Sequence, residues 1–167
     1  MIFSSKHSVG IDVADHSLEA VELVFDKKIP EVVSLARLKL RAGIIERGRV
    51  KDAEQFRLAI KELLASAKPN PIKPENVSVS LPDSLIYLHY FQTAARGSTA
   101  LDEAVNVEIA RSIPMVREDL VYTYREIGRQ NNLSQILIAA VDRIAVTEWQ
   151  ETWLKCGFSI NFFDLEQ

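Results

Sequence analysis

Within its first 81 residues the chain carries three β-patterned runs, an amphipathic helix and a fourth strand, and that order restricts its fold more than any other feature. Ser8 to Val13 is a short apolar run, and after a polar break at Asp15 and His16 a second run extends from Ser17 to Phe25, which predicts a hairpin. Asp26, Lys27 and Lys28 form the next turn. Pro30 stands at the mouth of a third β-rich stretch, Val32 to Leu40, where its missing N–H costs least because the ladder is only beginning. Gly43 and Gly48 punctuate the next segment. From Asp52 to Ala67, Phe56, Ala59, Ile60, Leu63, Leu64 and Ala67 recur at helical spacing. Asp52 can accept from first-turn N–H groups while Gln55 reaches back, a capping-box arrangement that fixes the helix start. Pro69, Pro71 and Pro74 end the helix. Val77, Val79 and Leu81 then alternate with Ser78 and Ser80 in a strand from Asn76 to Leu81. Because a helix links the third and fourth strands, the fourth is expected to return parallel beside the first by a right-handed crossover.

That layout is the core of the ribonuclease H-like and actin-like α/β folds. From Pro82 the pattern starts afresh: a strand at Leu85 to Phe91, a loop holding Gly97, and a helix from about Thr99 to Ile113, ended by Pro114. Strands at Asp119 to Ile127 and Ser134 to Val141 come next, separated by the turn-prone Asn131 and Asn132. Asp142 caps a last helix to Cys156, Gly157 is placed as its left-handed terminator, and Ser159 to Leu165 reads as a final strand.

Composition narrows the function classes. A chain of 167 residues with 47% hydrophobic and 26% charged residues is an ordinary globular protein with room for two lobes. A formal charge of -3 offers no global basic field, so nucleic acid is not an expected partner. No apolar run approaches the roughly 20 residues that span a bilayer, and Met1 to His7 lacks a signal-peptide core, which predicts a cytoplasmic protein with no transmembrane segment. The single cysteine, Cys156, excludes an internal disulfide and a cysteine-cluster zinc site.

Three stretches resemble the PilM family of actin-like type IV pilus assembly proteins, relatives of the division protein FtsA. Gly10-Ile11-Asp12-Val13-Ala14-Asp15-His16-Ser17 through Leu23 is similar to the family's opening phosphate-loop hairpin. Gly43 to Asp52 resembles the segment before its first helix. Ser112-Ile113-Pro114-Met115, Asp119 to Arg125, Ile136 to Asp142 and Asp164-Leu165-Glu166 match its inserted subdomain and exit strand. The resemblance implies a subdomain IA at 1–81, completed by a returning strand at 158–167, and an inserted strand-helix-strand-strand subdomain IC at 82–157. It also implies a scaffold at the cytoplasmic face of the inner membrane. There it would hold the N-terminal tail of a bitopic PilN-like partner in a cleft between IA and IC and meet other pilus assembly proteins. Family members run to roughly twice this length, the second lobe carrying the other phosphate loop and the adenosine pocket. ATP with Mg is therefore implied only as an incomplete site, and catalysis is not expected of this chain alone.

In that site the resemblance assigns Gly10, Asp12, Ala14 and Ser17 to the nucleotide, with Asp12 holding magnesium through water. The residues by themselves leave two readings of Asp12. A carboxylate at the end of a central strand can orient a metal-bound water beside phosphates, or it can satisfy the N–H groups of a turn. Asp15 adds negative charge where a triphosphate would lie, and both it and His16 are expected to sit in a solvated turn. Asp12 with Asp83 could form a two-metal nuclease pair, but Leu81-Pro82-Asp83 is an ordinary turn signal. His7, His16 and His89 show no metal or triad spacing. Trp149 and Trp153 read as a core stripe before an interaction surface, and Arg47, Arg49 and Lys51 as a solvated edge. The alternatives to a pilus scaffold are an actin-like ATPase lacking its second lobe, and a scaffold of the FtsA type or of the type II secretion protein GspL.

Overall fold

Alternation of apolar and polar residues in the first three runs makes them strands with one face to bury, and the computed structural model, which describes residues 7–25, 29–74 and 76–165, pairs them in sequence. β1 (His7–Ala14), β2 (Ser17–Val24) and β3 (Glu31–Lys39) are antiparallel neighbours. The turn expected at Asp26 to Lys28 lies outside the described residues. A short hairpin, β4 (Ile45–Glu46) and β5 (Arg49–Val50), precedes α1 (Ala53–Ser66), and β6 (Asn76–Leu81) then lies parallel to β1 with Gly10 opposite Ser78. Asp52 caps α1 by accepting from the N–H of Gln55 at 2.9 Å.

After a 3₁₀ turn at Asp83–Leu85 come β7 (Tyr87–Thr93), α2 (Ser98–Ser112), β8 (Leu120–Gln130) and β9 (Leu133–Asp142), and α3 (Arg143–Cys156) leads to β10 (Ser159–Leu165). The 3₁₀ turn delays β7 by two residues from the expected start. β10 pairs parallel with β6, giving a five-stranded sheet in the order β10-β6-β1-β2-β3. Gly157, at φ +91°, closes α3: its N–H reaches the carbonyl of Leu154 at 3.0 Å, and that of Phe158 reaches Trp153 at 3.1 Å, the paired bonds of a left-handed C-cap.

The chain divides into two compact units, residues 1–84 with 148–167, and residues 85–147. The expected boundaries were Leu81/Pro82 and Gly157/Phe158. The second one moves because the C-terminal part of α3 packs on α1: Phe56 meets the rings of Trp149 and Trp153 edge-on at centroid distances of 5.5 and 5.6 Å. All three rings are buried, with Ile60, Leu63 and Leu64 of α1 and Ile11, Val13 and Leu18 of the sheet. The two tryptophans are core, as their spacing of four predicts.

In the second unit, β9 is the central strand between β7 and β8. One face of this sheet, with Ile136, Ile138 and Ala140, packs on Val105, Ile109 and Ile113, joined by Phe91, Tyr122 and Tyr124. Glu108 of α2 is a buried carboxylate. Its Oε1 accepts from Ser112 Oγ at 2.8 Å and Arg111 Nη2 at 3.0 Å, and His89 Nε2 lies 2.8 Å away. Burial pushes its carboxyl pKa up, but the hydrogen bonds from Ser112, His89 and Arg111 outweigh this and leave it below the ordinary value. Among the described residues no helix is long and apolar enough to cross a membrane.

This packing has two measurable consequences. Phe56→Ala empties the centre of the ring cluster and lowers the free energy of unfolding by about 3–5 kcal/mol, read by urea denaturation. Because the Glu108 carboxyl binds its proton less readily in the folded state, its stabilisation is full above the unfolded pKa and lost as pH falls through the lower folded value. Glu108→Gln therefore flattens the acid limb of a stability-pH curve and leaves the shape of the limb above pH 7 unchanged.

Candidate functional site

Two-residue hairpin turns favour left-handed backbone at their central positions, because the resulting twist matches that of the strands. The β8–β9 turn obeys this with Asn131 at φ +49° and Asn132 at +64°, and the β4–β5 turn with Arg47 at +51° and Gly48 at +73°. The β1–β2 turn does not. Ala14 pairs with Ser17, and neither Asp15 nor His16 between them has a positive φ. Outside bonds hold this turn instead. Asp15 Oδ1 accepts from the N–H of Gly48 at 2.8 Å and from Ser84 Oγ at 3.4 Å, while the His16 carbonyl accepts from the N–H of Leu40 at 2.9 Å.

Asp15 is thus a half-buried anchor and not the solvated residue expected, whereas His16 is exposed. Arg49 stays on the solvated edge assigned to it, where its guanidinium pairs with the exposed Glu148. The Gly48 carbonyl accepts from the buried Trp149 Nε1 at 2.9 Å. Sequence reasoning missed the β4–β5 hairpin. Its signal was Gly48 in a two-residue turn flanked by Ile45 and Val50.

The residues expected to hold nucleotide lie along the β1–β2 hairpin from mid-strand to its turn. Asp12 Oδ1 accepts from Ser80 Oγ, whose oxygen accepts in turn from the N–H of Val13 at 3.1 Å. Gly10 lies mid-strand, and a Cβ there would meet Val21 Cγ1 at an ordinary 3.5 Å, so no close approach demands glycine. Ala14 and Ser17 are the closing pair of the ladder. A groove of about 560 Å³ opens along the sheet, lined by Gly10, Asp12, Glu19, Val21, Leu35 and Ser80 among others. It places Asp12 beside open space, with Glu19 opposite it on β2; among the described residues, no three of His, Cys, Asp and Glu gather as metal ligands.

Magnesium-ATP, implied by the resemblance, requires bare amides turned toward the phosphates. An anion-binding nest needs successive right- and left-handed residues, and the β1–β2 turn has no left-handed one. The Asp15 carboxylate also uses the neighbouring Gly48 N–H. These residues do not fit a triphosphate. The other reactive groups are equally committed: His7 pairs with Glu22 at 2.8 Å and His89 with Glu108, and burial pushes the Cys156 thiol up to about 11, which makes it a poor nucleophile at neutral pH.

No protein-family model matches the sequence, and no curated protein does. Solved structures do match. A chain of a PilM-PilN type IV pilus biogenesis complex is similar over 97% of this chain and 48% of that one, with a TM-score of 0.77 at 21% identity. The cytoplasmic domain of EpsL, an inner membrane component of the type II secretion system of Vibrio cholerae, is similar over 95% of this chain and 57% of that one, with a TM-score of 0.56 at 16% identity. The chain spans about half the length of these structures, and over that span it has their actin-like α/β fold.

Proposed function

We propose that the chain is an actin-like scaffold of type IV pilus assembly, acting at the cytoplasmic face of the inner membrane by holding the N-terminal tail of a PilN-like partner. The observation that carries this reading is the likeness to the pilus complex, which is stronger than that to EpsL at nearly equal coverage of this chain. The second unit offers a suitable surface. On the sheet face turned from α2, Leu88, Tyr90 and Val121 are exposed, and β7 and β8 are the two edges of the three-stranded sheet. An extended tail binds such a surface by placing apolar side chains against it and adding backbone hydrogen bonds at a strand edge, which needs no catalysis. Likeness to EpsL keeps a type II secretion scaffold as the second reading.

Fluorescence anisotropy with the labelled cytoplasmic tail of the bitopic protein encoded beside this gene tests the proposal. Saturable binding is expected, weakened at least tenfold by Leu88→Glu with Tyr90→Glu; failure of the wild-type chain to bind any such tail, whether of pilus or secretion type, rejects it. Nucleotide is a minor element of this reading. Titration calorimetry with magnesium-ATP is expected to give no saturable heat below about 1 mM, where binding free energy is only about 4 kcal/mol. Micromolar binding would show that the β1–β2 turn rearranges to receive phosphate.

A further inference from the structure

The polypeptide passes between its two units twice, at Ser84/Leu85 and at Thr147/Glu148. On the side of the first unit, both passages end in the same small cluster. Ser84 donates its hydroxyl to Asp15, Glu148 pairs with Arg49, and Trp149, the next residue, donates its indole N–H to the Gly48 carbonyl. Asp15 and Trp149 meet on opposite sides of one residue, because Asp15 takes the N–H of Gly48 while Trp149 gives to its C=O.

We propose that the β1–β2 turn of this chain is a clasp on the two connections to the second unit, with Gly48 as the shared anchor. The turn is in the place where the resemblance expects a phosphate loop, and the two uses exclude each other: the clasp consumes an amide and puts a carboxylate where an anion would lie. Three features make the device specific. The turn's backbone, without a left-handed residue, is poorly matched to its strands, so its position depends on bonds from outside. Gly48 holds φ +73° in a tight hairpin, which fixes the direction of its N–H and C=O. The Trp149 bond is buried, where loss of the acceptor geometry leaves a costly unpaired donor. Opening the Asp15 bond therefore loosens Gly48, and with it both passages.

Hydrogen exchange of the full chain, read by mass spectrometry, tests the clasp without reference to any partner. Asp15→Ala is expected to raise exchange about tenfold or more in segments 44–50, 82–88 and 145–150, leaving 57–64 and 105–112 protected as before. Trp149→Phe keeps an aromatic ring and removes the N–H, so it folds, and it is expected to raise exchange in 82–88 as well as in 145–150. Ser84→Ala is expected to affect 82–88 alone. A rise confined to 13–18 in Asp15→Ala, a uniform rise over the whole chain, or an unchanged 82–88 segment in Trp149→Phe would overturn the proposal.

Discussion

The edge-on packing of Phe56 against Trp149 and Trp153 is the constraint on which the first unit rests. α3 begins at the end of β9, and without an apolar stripe facing α1 nothing would return the chain to the sheet. The two indoles, four residues apart, supply that stripe, and Phe56 fills the space between them. Once α3 lies against α1, the Gly157 cap turns the backbone and β10 can pair with β6 along its length. β6 then becomes an interior strand, with β1 on its other side. Aromatic packing between residues 56 and 149–153 thus decides whether residues 159–165 join a sheet begun at residue 7.

The regular elements were legible because their determinants are local. Asn76–Leu81 and Ser159–Leu165 match their expected bounds, and α1, α2 and α3 fall within a residue or so, since apolar period and caps lie within each segment. Asn131 and Asn132 announced their turn because these residues tolerate positive φ. The site was far less legible. Asp15 is joined to Gly48 across 33 residues and Trp149 to Gly48 across 101, and no spacing rule reaches that far. The β4–β5 strands have only two residues each, too short for an alternation to be read. The parting of the units at Thr147/Glu148 was hidden for another reason: it falls inside a continuous helix, where composition and periodicity do not change.

The two hairpins that meet at Gly48 divide a structural requirement between them. The β4–β5 turn has the left-handed residues that suit a tight hairpin, while the β1–β2 turn lacks them. The two hairpins are joined at Gly48, whose N–H the Asp15 carboxylate takes. Glycine in place of Asp15 or His16 would allow left-handed backbone there and expose amides to an anion, but at position 15 it would remove the carboxylate that Gly48 and Ser84 share. Charge acts in the same direction as backbone geometry, since an anion arriving at this turn meets a carboxylate already stabilised by a backbone N–H.

Asp12 shows how an aspartate in the expected place can serve another end. Its strand neighbours alternate, so that Val9, Ile11 and Val13 are buried while Asp12 lines the open groove of the other face. There the Ser80 hydroxyl donates to the carboxylate and accepts from the N–H of Val13, a relay that ties β1 to β6 beyond the two paired positions Gly10–Ser78 and Ile11–Val79. Parallel pairs this short have few ladder bonds of their own, so a side-chain bridge at the next position contributes directly to register. Asp12 thus serves the junction of the two strands, and the residue pattern alone could not show this use because Ser80 enters the arrangement from 68 residues away.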